Sequence, residues 1–280
     1  MNALEIKDLT KKYDDFTLDH LNLTLPSGCI MGLIGENGAG KSTTMKLLLN
    51  MIRKDEGSIT ILGRDNTENE CLTKEEIGVV LDEVGLPDCV NVRQVGNIMK
   101  YTFRTWDQKK FEELTKQFKL STEKPFKDYS RGMKMKLGLA IAFSHDSKLL
   151  ILDEATSGLD PIARDEVVDL LSDFTRDENH SILISSHIVS DLEKLCDYIA
   201  FLHQGKLLLC EEKDLLLGSY GIVRCSVEEL DDLNEEAILQ KTVTPYGAQA
   251  IVKRDCIPAH MQAGPITIEE LFIYMIKEGR

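Results

Sequence analysis

The chain has 280 residues, enough to bury a sizeable core as one large domain or as one domain with an appendage. Its 47 acidic against 33 basic residues leave a net charge of −14, which argues against nucleic acid and against unaided binding to an anionic membrane. No apolar run approaches the roughly 20 residues of a membrane helix, the N-terminal MNALEIKDLTKKYDD lacks an apolar signal core, and seven scattered cysteines form no CxxC pair; together these predict a cytoplasmic protein with reduced thiols.

Residues 3–9 and 16–25 read as strands, the second from the near-alternation in FTLDHLNLTL. CIMGLIG (29–35) has the short, continuously apolar character of a strand buried on both faces. A glycine-rich segment follows, then KSTTMKLLLNMI as a helix, and SITIL (58–62) and IGVVL (77–81) as further strands. Over 91–146 the character changes: VRQVGNIMKYTF, WDQKKFEELTKQF and RGMKMKLGLAIAF all read as helices, with no strand between them.

Strand–helix alternation then returns with a strand at 148–153, a helix from Pro161 capped by Asp160, a strand at 181–185, a helix at 188–195 and a strand at 198–202. Beyond about residue 215 the pattern weakens. GIVRCSV and AQAIVKR read as strands, and TIEELFIYMIKEG closes the chain as a helix, with Thr267 and Glu270 spaced as a capping box and Gly279 as a stop. The expectation is an α/β domain over 1–215, with N-terminal antiparallel strands and a helical insertion at about 83–146, followed by a small α+β extension over 216–280.

GENGAGKS (35–42) fits the phosphate-loop pattern G-x-x-x-x-G-K-[ST], and it lies between a predicted strand and a predicted helix. Glycines let backbone N–H groups wrap phosphate oxygens, and the helix N-terminus adds partial positive charge. Lys41 would reach the β- and γ-phosphates of ATP, and Ser42 would ligate Mg²⁺. In LILDEATSGLD (150–160) the acids Asp153 and Glu154 end an apolar strand, where two carboxylates need a positive or reactive partner. The Mg²⁺ on the nucleotide supplies one for Asp153, directly or through water, while Glu154 would polarise the attacking water.

With GENGAGKST (35–43), YSRGMK (129–134), LLILDE (149–154), SGLD (157–160) and ISSH (184–187) in that order, the sequence resembles the ATP-binding cassette (ABC) family over residues 4–215. The resemblance implies a phosphate-loop ATPase core whose nucleotide touches Gly35, Glu36, Asn37, Gly38, Ala39, Gly40, Lys41, Ser42 and Thr43, with Tyr13 stacked on adenine. His187 would contact the γ-phosphate and the attacking water. It further implies a head-to-tail homodimer or heterodimer of cassettes. There the signature residues Ser130, Arg131, Gly132 and Met133 meet ATP bound to the opposite subunit, and Asp160 lies across the interface.

Two segments depart from the family pattern. Arg131 and Met133 stand where glycine and glutamine are usual, and Asp82 stands where glutamine is usual. Asp82 still offers an oxygen to Mg²⁺ or its water; the competing reading turns it to solvent, with its coupling role passed to Glu83 or lost. The resemblance is nearest to exporter subunits, on SRGMKMK and TIEELF. It implies an ATPase held on the inner face of the cell membrane by a separate transmembrane permease subunit, docked around residues 83–105. The alternatives are a non-transport cassette ATPase and a nucleotide-sensing regulator; the presence of both Glu154 and His187 argues against the second.

Overall fold

In the computed structural model, which describes every residue except 69, 83, 232, 235, 236, 245, 246, 259, 260, 279 and 280, the chain begins with the long hairpin β1 (Asn2–Lys12) and β2 (Thr17–Pro26). Next come β3 (Ile30–Gly35), α1 (Lys41–Leu48), β4 (Glu56–Ile61), the short β5 (Arg64–Asp65), α2 (Glu70–Glu75) and β6 (Ile77–Val80). The insertion holds α3 (Val92–Thr102), α4 (Gln108–Gln117) and α5 (Arg131–Ala142). β7 (Leu149–Asp153), α6 (Pro161–Phe174), β8 (Ser181–Ser186), α7 (Val189–Leu195), β9 (Tyr198–His203) and β10 (Lys206–Glu212) complete the main body. The C-terminal part carries α8 (Lys213–Ser219), β11 (Tyr220–Cys225), α9 (Val227–Asp231), β12 (Ile238–Thr244), β13 (Gly247–Lys253) and α10 (Ile268–Glu278). The expected stop at Gly279 and the alternative coupling residue Glu83 lie outside the described residues.

Among the described residues the strands form three sheets. β2-β1-β4-β5 is antiparallel, as expected for the N-terminal strands. The central sheet runs β10-β9-β3-β8-β7-β6, parallel except for β10. Its strands read as unbroken apolar runs because both faces are covered, and alternate residues serve different cores. Leu149 and Ile151 of β7 pack toward the antiparallel sheet with Leu4, Ile6 and Leu33. Leu150 and Leu152 pack toward α5, α6 and α7 with Leu137, Val167 and Leu192.

Helix α1 stops at Leu48, short of the expected 52. Asn50 adopts φ 53°, and the amides of Asn50 and Met51 bond back to the carbonyls of Leu47 and Lys46, closing the helix with a left-handed residue that asparagine tolerates. The C-terminal strands 221–227 and 248–254 appear as β11 and β13; β12 between them was not read from the sequence, nor were α2, β5, β10, α8 and α9. The expected boundary at 215/216 falls inside α8.

Parallel order places the C-terminal ends of β3, β6, β7 and β8 on one edge of the central sheet. In open α/β sheets that edge is where ligands bind, because helix N-termini and loops converge there.

Candidate functional site

The loop from Gly35 to Gly40 leaves β3 and turns into α1 with Gly40 as its N-cap. Gly40 adopts φ 111°, and a Cβ there would stand 2.9 Å from Cζ of Phe16, so this residue needs glycine twice over. Lys41 is buried at 7% exposure. Its Nζ donates to the carbonyls of Gly35 at 2.7 Å and Glu36 at 3.3 Å, and lies 3.9 Å from Oε1 of Glu154. The ammonium is thus held at the centre of the loop by backbone oxygens, with a carboxylate opposite. Glu36 turns away from it, with Oε1 at 2.9 Å from Nδ1 of His203, a nearly buried residue at the end of β9.

Asp153, 3% exposed, ends β7, and its Oδ1 accepts from Ser185 Oγ at 2.5 Å. Glu154 follows at φ 55°, pinned by its amide donating to the Ser185 carbonyl at 3.1 Å. Its Oε2 lies 2.6 Å from Nδ1 of His187, beyond the end of β8. An ionised carboxylate only accepts, so the proton of this contact belongs to Nδ1. Strand pairing of Asp153 with Ser185 sets this register, so the neighbouring β7 and β8 deliver the two acids and the histidine together.

One open cavity of about 770 Å³ is lined by Tyr13, Glu36, Asn37, Gly38, Gly40, Lys41, Ser42, Thr43, Asp82, Arg131, Glu154 and His187, together with Asp15, Phe16 and Ser157. Tyr13 sits 46% exposed on the turn between β1 and β2, with Lys11 Nζ 5.5 Å from its ring centroid. Ser157, Ser185 and His203 were not singled out in the sequence, although Ser157 stood within the quoted SGLD and Ser185 within ISSH. Phe16 stood in the sequence only as the first residue of the strand FTLDHLNLTL.

Ser130 caps α5, its Oγ accepting from the Met133 amide at 3.3 Å. Gly132 packs so closely on the SGLD turn that a Cβ would stand 2.9 Å from the Gly158 carbonyl. Asp160 caps α6 through the amides of Ile162 and Ala163, and these donors, Ala163 foremost, hold its carboxyl below the ordinary carboxylate range. Asp82 lines the cavity, and there its Oδ1 accepts from the guanidinium of Arg131. The two departures from the family pattern are therefore partners.

The donor set suits Mg²⁺. No cluster of three or more metal-binding side chains occurs among the described residues. Mg²⁺ needs none, since it takes one or two hard oxygens and completes its shell with water and phosphate. The Ser42 hydroxyl and the Asp153 carboxylate are of that kind.

A family model described as ABC transporter matches residues 18–157. The ABC transporter ATP-binding protein YhcH of Bacillus subtilis (strain 168) is 30% identical, covering 98% of this chain and 91% of the relative. The lantibiotic transport ATP-binding protein SrtF of Streptococcus pyogenes is 37% identical over 75% of this chain and 91% of its own length. Among solved structures, an ATP-binding subunit of an ABC transporter superposes with a TM-score of 0.71 at 25% identity, covering 76% of this chain and 91% of that one.

Proposed function

The chain belongs to the ABC transporter family, and from that premise we propose that it is the ATP-hydrolysing subunit of an exporter, working through a separate membrane-spanning permease. The observation that carries the reading is the convergence of Lys41, Ser42, Glu154 and His187 on one cavity that also presents an exposed aromatic ring. ATP enters with its base on Tyr13 and its phosphates over the loop 35–43. Lys41 then exchanges backbone carbonyls for phosphate oxygens. Glu154 orients the attacking water and takes up its proton as the water oxygen bonds the γ-phosphorus and the bond to the leaving ADP oxygen breaks, and His187 steadies Glu154 through Nδ1 while its other nitrogen donates on the γ-phosphate side. Mg²⁺, held by Ser42 and Asp153, would neutralise charge on the β- and γ-phosphates.

Two chains close head to tail on two ATP molecules, the capped N-terminus of α5 completing the site of the opposite copy. No helix among the described residues is long and apolar enough to cross a membrane, which agrees with a permease supplied by other chains. Helix α3 offers a docking face: Tyr101 is 91% and Ile98 42% exposed, one turn apart. Export is supported by the resemblance of SRGMKMK and TIEELF and by the lantibiotic transport relative.

The test is purification from the native host under mild detergent, followed by an ATPase assay. Export subunits should bring an integral membrane protein with them, and Tyr101→Asp should release it without abolishing nucleotide binding. Turnover with no membrane partner would support a non-transport cassette ATPase instead, and binding without turnover a regulator.

A further inference from the structure

Glu36 opens the phosphate loop, and its main chain already serves that loop: its carbonyl accepts from the Ala39 amide at 3.1 Å and from Lys41 Nζ at 3.3 Å. Its side chain, 42% exposed, brings a negative charge to a cavity that receives a polyphosphate. Strand register decides what that charge meets. β3 and β9 run parallel with Gly35 paired to Leu202, so the residues that follow, Glu36 and His203, come side by side. Oε1 of Glu36 stands 2.9 Å from Nδ1 of His203, whose ring is 6% exposed. An ionised carboxylate only accepts, so Nδ1 carries the proton of this contact. The oxygen lies off the donor direction, and Nδ1 makes no hydrogen bond elsewhere. A buried polar N–H without a hydrogen bond needs compensation, and here the facing carboxylate charge supplies it.

His203 is held against this contact. Gln204 and Gly205 turn the chain into β10 with φ of 46° and 79°, and the Gly205 amide donates to the Ala39 carbonyl at 3.0 Å. A side chain at Gly205 would collide with the Thr17 carbonyl, so the turn is wedged between β2 and the phosphate loop. Among the described residues no lysine or arginine pairs with Glu36: Lys41 faces Glu154, and Lys206 is taken by Asp19 at 3.6 Å.

We propose that His203 is a positioning residue for phosphate binding, tethering the Glu36 carboxylate against the end of β9 and away from the polyphosphate that the loop receives. This rests on the ATP-binding reading above and adds to it a residue outside the loop. A released carboxylate at the loop would repel the nucleotide, and for a half-exposed charge that repulsion is worth no more than about fivefold in affinity. It grows with the number of phosphates and is screened by salt. A loop merely distorted by a substitution has neither dependence.

The experiment is calorimetric titration of a non-hydrolysable ATP analogue, and separately of ADP, each with Mg²⁺, into the full-length protein at about 0.05 M and about 0.5 M salt. His203→Phe fills the same buried space without an N–H. It should weaken binding of the ATP analogue about two- to fivefold at low salt, ADP less, and both losses should shrink at high salt. Glu36→Asp keeps the charge but is one carbon too short for the contact. It should show the same losses without touching the buried ring, so the result stands even where His203→Phe folds poorly. Adding Glu36→Gln to His203→Phe should restore most of the affinity. Losses that are equal for the two nucleotides and at both salts, or that Glu36→Gln fails to restore, would make His203 a packing residue and overturn the tether. Unchanged affinity in both His203→Phe and Glu36→Asp would overturn it too, while leaving the ATP-binding reading in place. If the unsubstituted protein binds neither nucleotide, that reading falls with it.

Discussion

Glu154 occupies a backbone region that few residues other than glycine adopt, with φ at 55°. Such a conformation survives only where neighbours impose it, and here Ser185 does so through both its carbonyl and its hydroxyl. The same serine holds Asp153, so one side chain on β8 sets the direction of both acids. The consequence for turnover is direct. Glu154→Gln keeps shape and backbone geometry but cannot take up a proton from water. Steady-state phosphate release should fall by about 10²–10⁴-fold while ATP-analogue affinity stays within a few-fold of wild type. Unchanged phosphate release would remove Glu154 from the chemistry. The two acids, the lysine and the histidine were legible in the sequence because each sits in a short motif at the end of an apolar strand. Ser185 was not, because a serine two residues before a histidine carries no local signal of what stands across the ladder. The same holds for the Asp82–Arg131 pair, whose members are 49 positions apart and meet only through the fold.

Between elements, the insertion is fastened to the sheet by small residues and one histidine. A Cβ on Gly78 of β6 would stand 2.9 Å from the Ala142 carbonyl, so α5 lies directly on the strand. His145, just past α5, closes the joint: its Nε2 lies 3.1 Å from the Ile77 carbonyl and its Nδ1 3.3 Å from that of Ile141, while its ring stacks on Phe103 after α3 at 4.0 Å. Burial pushes the His145 pKa below its ordinary value; the two carbonyls, Glu75 and Asp146 oppose this without reversing it. A depressed histidine is neutral in the folded chain and takes up its proton first in the unfolded one. Stability is therefore full above the unfolded pKa of about 6.5 and declines as pH falls through that value toward the folded pKa. Urea unfolding between pH 8 and 5 should show that loss in wild type and a smaller one in His145→Phe. Parallel profiles would mean that His145 keeps its proton equilibrium on folding. The helices here were legible from their apolar spacing, but no pattern in the sequence marked His145, which carries no motif and earned its place by packing alone.

For the whole molecule, the question is whether residues 216–280 form a detachable appendage. The weak periodicity of that stretch has a physical cause: the sheet of β11, β12 and β13 covers a small core of Val223, Leu230, Leu233, Ala248, Ala250 and Val252, too few apolar positions, spread over too many short elements, to imprint a pattern. Helix α10 behaves differently. Its Ile268 and Leu271 are fully buried, in the same core as Leu192 of α7 and Phe201 of β9. Phe272 lies 5.0 Å from the Phe201 ring, and the Ile268 amide donates to Oε2 of Glu193 on α7 at 3.1 Å. The Thr267–Glu270 capping box forms as its spacing foretold, so the helix start is fixed locally and its apolar face is delivered to the main core. The extension is thus half appendage and half wall of the cassette, and α7, which follows His187, leans on it. Ending the chain at residue 215 would bare Phe201 and Leu192 to water, so the truncated protein should melt well below the full chain and aggregate. Because truncation alone could fail for trivial reasons, Leu271→Ala gives the graded version. Removing a fully buried leucine costs about 2–5 kcal/mol, and chemical denaturation should show it as a lower midpoint with an unchanged slope. A substitution confined to an independent module would instead split the transition in two, leaving the main one where it was. An unshifted main transition would show that α10 is a passenger on the cassette, and that α7 needs nothing from it.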